Sequence, residues 1–191
     1  MAPQRSYRLL LIFGLFLLAS LSVAWVLHWN SEEPAVYEAT IREAFDEAPH
    51  YVILDTTQPD RRFGISNFDS SSLNLPLSAR ASYTAKNLFR FRIAPTLSLP
   101  HPFTMVSQEE LDMVYRHGQI DSPQAVELRS LLQKSWGVIT LSRVGFDLSG
   151  KHAVVYAQLT YCGLCGEGTY LYLSKESGTW HIVRRVGTWI S

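Results

Sequence analysis

The sequence predicts an α+β fold: an N-terminal transmembrane helix, then helices covering a C-terminal antiparallel four-stranded meander. Three observations predict it. An uncharged run from Leu9 to Asn30 follows Arg5 and Arg8. Apolar residues recur at helical spacing in several short stretches between Pro34 and Lys134. Four strand-like segments with short connections fill residues 138–191.

At about 1.5 Å per residue, the run from Leu9 to Asn30 extends about 33 Å. A hydrocarbon core is about 30 Å thick. Tyr7, Trp25 and Trp29 stand near its two ends, where amphipathic rings favour the interface. Both early cations precede the run, so the positive-inside rule places the N-terminus in the cytoplasm and the rest outside. The alternative is a secreted protein cleaved after Ala24, because Ser22, Val23 and Ala24 offer small residues at cleavage spacing. Residues 1–30 are therefore read as an anchor or uncleaved signal, and residues 31–191 as one exported domain of ordinary size.

The chain has 17 basic and 17 acidic residues. Removing Arg5 and Arg8 leaves 15 basic against 17 acidic, a net charge of −2 for the exported part. That balance lacks the basic footprint of a nucleic-acid binder. Acids cluster between Glu32 and Glu47, and a solvated helix face accounts for them.

Pro34 to Ala48 reads as a helix with Val36, Tyr37, Ile41, Ala44, Phe45 and Ala48 on one stripe. Pro34 suits its first turn and Pro49 ends it. Tyr51 to Leu54 reads as a short strand, residues 55–79 as a loop, and Ser82 to Phe89 as a short helix. Phe91 to Ile93 reads as extended, and Phe103 to Val106 as a strand. Ser107 and Glu110 form a capping box, which predicts a helix through Tyr115. Ser122-Pro123 opens another, with Ala125, Leu128, Leu131 and Leu132 on its apolar side, ending before Trp136-Gly137. Val138 to Phe146, Ala153 to Tyr161, Thr169 to Leu173 and Trp180 to Ile190 are the four strands. Short connections force antiparallel neighbours. Trp136, Trp180 and Trp189 read as core or sheet-packing residues.

The compact chemical constellation is the turn holding Cys162, Gly163, Cys165, Gly166 and Gly168. One reading is a small disulfide that shapes a hairpin turn, since a tight turn brings such positions within disulfide range. A second is a redox dithiol, although a low thiol pKa is usually set by a helix N-terminus and this pair lies between two strands. A third is a metal site recruiting His152 and His181, but two cysteines are short of a zinc set. The three glycines shape the loop and could open backbone amides to an anion, but not as a dinucleotide fingerprint, which needs a helix after the strand. No hydrolase, zinc-protease or phosphate-loop motif occurs, so the sequence predicts neither a cofactor nor a metal and names no catalytic residue.

Ser142-Arg143-Val144-Gly145-Phe146-Asp147, then Ala153-Val154-Val155-Tyr156, the Cys162 to Gly168 turn, Leu173-x-Lys175, Gly178-x-Trp180 and the ending Trp189-Ile190-Ser191 resemble a family of uncharacterised bacterial exported or membrane-attached proteins. The resemblance implies a bacterial envelope location and carries over no catalytic residue. The combined expectation is a membrane-anchored envelope protein whose exported domain is a non-enzymatic binding or structural module for an unknown protein or small molecule. The alternative is an exported thiol–disulfide oxidoreductase using Cys162 and Cys165.

Overall fold

The computed structural model describes residues 31–58, 74–116, 122–161 and 165–191. The chain divides into two compact units, Met1–Glu33 and Pro34–Ser191. All the described strands lie in the second.

Four helices and seven strands are described. Helix α1 covers 31–44 and β1 is Tyr51–Leu54. Helix α2, Leu77–Lys86, precedes β2, Phe103–Val106. Helices α3, Gln108–Arg116, and α4, Pro123–Lys134, follow. The last strands are β3, Val138–Leu141; β4, Gly145–Phe146; β5, His152–Thr160; β6, Gly166–Glu176; and β7, Thr179–Ile190.

The predicted four-stranded meander is corrected to a seven-stranded mixed sheet in the order β2-β1-β3-β5-β6-β7, with β4 beside β5. β1 is parallel to both β2 and β3, while β3-β5-β6-β7 are antiparallel. The reason lies in β1. Tyr51, Val52, Ile53 and Leu54 are all buried. A strand apolar on both faces belongs inside a sheet, flanked on each side. Parallel neighbours then require long crossovers, and α2, α3 and α4 lie in them.

The predicted strand from Val138 to Phe146 is broken. Asn87 takes the backbone of Arg143, donating to its carbonyl at 3.0 Å and accepting from its amide at 2.8 Å. Ser142 Oγ meanwhile accepts from Tyr156 N at 2.9 Å. These bonds take the place of ladder bonds to β5 in the stretch between β3 and β4.

The helices do not cover a meander. They divide between separate stretches of the sheet. α2 supplies Ala79 and Tyr83 to a cluster with Val154, Tyr156 and Tyr170. It comes so close to β4 that a Cβ on Gly145 would strike Ala79 O and Tyr83 N, each 2.6 Å away. α3 and α4 cover the other end, where Leu111, Leu128, Leu131 and Leu132 pack with Val52, Leu54, Val106 and Val138. The C-terminal end of α1 reaches the β7 edge, where Glu43 accepts from Ile182 N at 2.8 Å and lies 3.1 Å from His181 Nδ1.

Both predicted caps form. Glu110 N donates to Ser107 Oγ at 3.2 Å and Ser107 N to Glu110 Oε2 at 2.7 Å. Ala125 N donates to Ser122 Oγ at 3.2 Å. α2 begins five residues before the predicted Ser82, within a stretch read as loop.

Among the described residues no helix is long and apolar enough to cross a membrane. Each falls short of the roughly 20 apolar residues a span needs. α4, at 12 residues, reaches about 18 Å, and α1 carries Glu38, Arg42 and Glu43. The predicted span from Leu9 to Asn30 and the cleavage position after Ala24 lie outside the described residues. On this finding the predicted single-pass topology is not supported among the described residues.

Candidate functional site

The cysteine turn is only partly described. Tyr161 N donates to Cys165 O at 3.1 Å, closing the β5–β6 connection. Cys162 and Gly163 lie outside the described residues. No cystine pair stands among the described residues, because Cys162 lies outside them, and Cys165 is not a free thiol. Cys165 leads into strand β6 and no helix starts there.

Gly166 and Gly168 sit within β6, opposite Thr160 and Gln158. Gly166 exchanges both backbone bonds with Ser191, at 3.0 and 3.2 Å. A Cβ on Gly168 would collide with Tyr156 Oη and the Trp189 indole. Those two groups meet above it, Trp189 Nε1 donating to Tyr156 Oη at 2.7 Å. The glycine leaves room for that bond, so its role here is packing. Trp180 is buried as expected, while Trp136 is half exposed.

His152 and His181, considered together as metal ligands, belong to separate clusters. His181 meets Glu43 at the sheet edge. His152 Nδ1 lies 2.9 Å from Asp147 Oδ2. No group of three potential metal ligands forms among the described residues.

Asp147 is the densest polar centre. Its carboxylate accepts from Ser149 Oγ at 2.7 Å, Lys151 N at 3.1 Å and His152 N at 3.2 Å. Burial pushes its pKa up, but the bonds from His152 and Ser149 outweigh that and hold it below the usual carboxylate range. The His152 ring stacks on Tyr172 at 5.6 Å between centroids. Burial, then the Asp147 charge, raises the Tyr172 hydroxyl pKa, with Arg184 opposing. All of these carboxylate bonds come from residues 149–152, within one turn. The arrangement clamps the β4–β5 hairpin. A hydrolase would need a nucleophile and a base in contact, and no nucleophile is among the described partners of His152.

A concave site lies elsewhere, at the opposite end of the sheet. A groove of about 250 Å³ runs between β2, α3 and α4. Val106, Leu128, Leu131 and Met113 give it an apolar lining, and Glu110 of α3 and Glu127 of α4 also line it. The strand at its side is the end strand of the sheet. Pro102 O and Val106 O accept from Tyr51 N and Asp55 N. In a parallel ladder, alternate residues of a strand bond to the same neighbour. Phe103 and Met105 therefore turn their backbone N–H and C=O outward, beside the groove. Among the described residues no strand covers them.

No sequence signal marked this groove. Its parts come from one strand and two helices, and each helix reads as ordinary amphipathic packing. Compared with known proteins, the chain matches no family model, no curated protein and no solved structure.

Proposed function

We propose that this chain is a non-catalytic binding module that takes an extended polypeptide segment as an added strand beside β2. One observation carries the reading: β2, whose Phe103 and Met105 turn their backbone groups outward, lines a groove with α3 and α4 through Thr104, Met105 and Val106. Strand addition draws affinity from main-chain bonds and selectivity from pockets for alternate side chains. Both features stand next to each other here. At about 250 Å³ the groove is smaller than the roughly 300–1,000 Å³ of small-molecule sites. A few peptide side chains suit it better than a cofactor does.

The oxidoreductase reading has less support. Cys165 precedes a strand, so the helix dipole that lowers a catalytic thiol's pKa has no counterpart on that side of the turn.

The test is a display library of random extended heptapeptides panned on the whole chain, with selected peptides then measured by fluorescence anisotropy. Replacing Met105 with Pro removes the outward N–H and fits an edge strand. Binding should fall at least about tenfold for M105P and for peptides with alternate backbone amides methylated, on the scale of one to two lost main-chain bonds. Selected peptides that bind equally well after both changes would overturn the reading, as would a library that yields none.

A further inference from the structure

Resting on the strand-addition reading, we infer that the groove selects a segment carrying one Lys or Arg, with an aliphatic residue two positions away. Side chains two apart on an extended peptide project to the same side, about 6.5–7 Å from each other. The groove offers matching chemistry at short range. Val106, Leu128 and Leu131 give it apolar surface, while Glu110 of α3 and Glu127 of α4 both line it. Among the described residues no Lys, Arg or His lines it.

The two carboxylates differ in their freedom. Glu110 gives one oxygen to Ser107 N at 2.7 Å as part of its cap. Glu127 lies exposed on α4 with no hydrogen-bond partner among the described residues. An incoming guanidinium or ammonium would therefore meet Glu127 without displacing a bond. A segment with an acidic side chain at that position would meet two like charges, which disfavours wrong partners more than it strengthens right ones. The aliphatic neighbour fills the apolar part, where Met113 and Met105 adapt to its shape.

The experiment uses the whole chain and one peptide from the selection above, synthesised with Arg, Gln or Glu at the enriched position. The Arg form should bind about fivefold more tightly than the Gln form and the Glu form more weakly still, the scale of an exposed ion pair. Glu127→Lys should reverse the order of the Arg and Glu forms, and Glu127→Gln should bring them closer together. Glu127 is exposed, so both variants should keep the wild-type melting temperature. Three peptides of equal affinity, all still lost with M105P, would overturn this inference and leave strand addition standing. An Arg preference that survives M105P would also overturn it, because the charge would then act away from β2. If no peptide depends on Met105, the parent reading fails as well.

Discussion

The two edges of the sheet are built in opposite ways. β7 is 12 residues long, antiparallel to β6, and carries two register shifts. Arg184 and Arg185 stud it with charge, and Glu43 of α1 bonds its Ile182 amide. Arg185 in turn donates to the Glu43 carbonyl. Bulges, charge and a covering helix end are the devices by which proteins keep a sheet edge from pairing with another chain. β2 has none of them. Its four residues, Phe103 to Val106, carry no charge and show no irregularity against β1. On the strand-addition reading proposed above, pairing is confined to the short edge, where among the described residues no strand covers β2.

The largest expected effect tests the guarded side. Gly168→Val places methyl groups where Tyr156 Oη and the Trp189 indole meet. It should cost about 3 kcal/mol in urea unfolding, from overpacking and the lost bond together. Peptide binding at β2 should survive in the folded fraction. Equal damage at both edges would show that they are not independent.

Acid should act next. The Asp147 pKa is lowered in the folded state, so its contribution is present above the unfolded value of about 3.9 and is lost as pH falls through the folded value. Asp147→Asn should destabilise by about 2 kcal/mol at pH 7, where the wild type has a charged acceptor. The penalty should shrink as the pH drops through that window, as read from thermal melts at several pH values. A pH-independent penalty would mean that the carboxylate charge contributes nothing to the β4–β5 turn.

The smallest effect is on the guard itself. Glu43→Ala removes the acceptor from Ile182 N and the partner of His181. It should cost about 1 kcal/mol, since these groups are partly exposed. Light scattering should show more self-association as the β7 edge is uncovered. Unchanged association would mean that the bulges and arginines suffice.

Much of the local structure was legible because local chemistry sets it. Ser107 with Glu110, and Ser122 with Pro123, specify helix starts through bonds spanning only three residues. Phe103 to Val106 was bounded correctly by its prolines and the following cap. The sheet was misread where pairing is distant. β1 bonds to residues some 50 and 85 positions away, and no turn chemistry announces such a partner. One clue was present: Tyr51 to Leu54 has no polar alternation, the mark of a strand buried on both faces. The break at Ser142 depends on Asn87, 56 residues from its bonding partner Arg143, and leaves no trace in the strand itself. The groove was invisible for the same reason: Met105, Met113 and Leu131 look like separate core residues until three elements bring them together.

The placement of β1 also has a kinetic side. β5, β6 and β7 follow one another through short connections and can zip sequentially. β1 must wait for both of its flanking neighbours, and closing those long loops carries an entropic barrier that local hairpins do not face. The part of the finished sheet one strand in from the β2 edge is thus among the last to be assembled. Until it is, the four consecutive apolar residues Tyr51 to Leu54 stand without shelter, a stretch that a chaperone would engage.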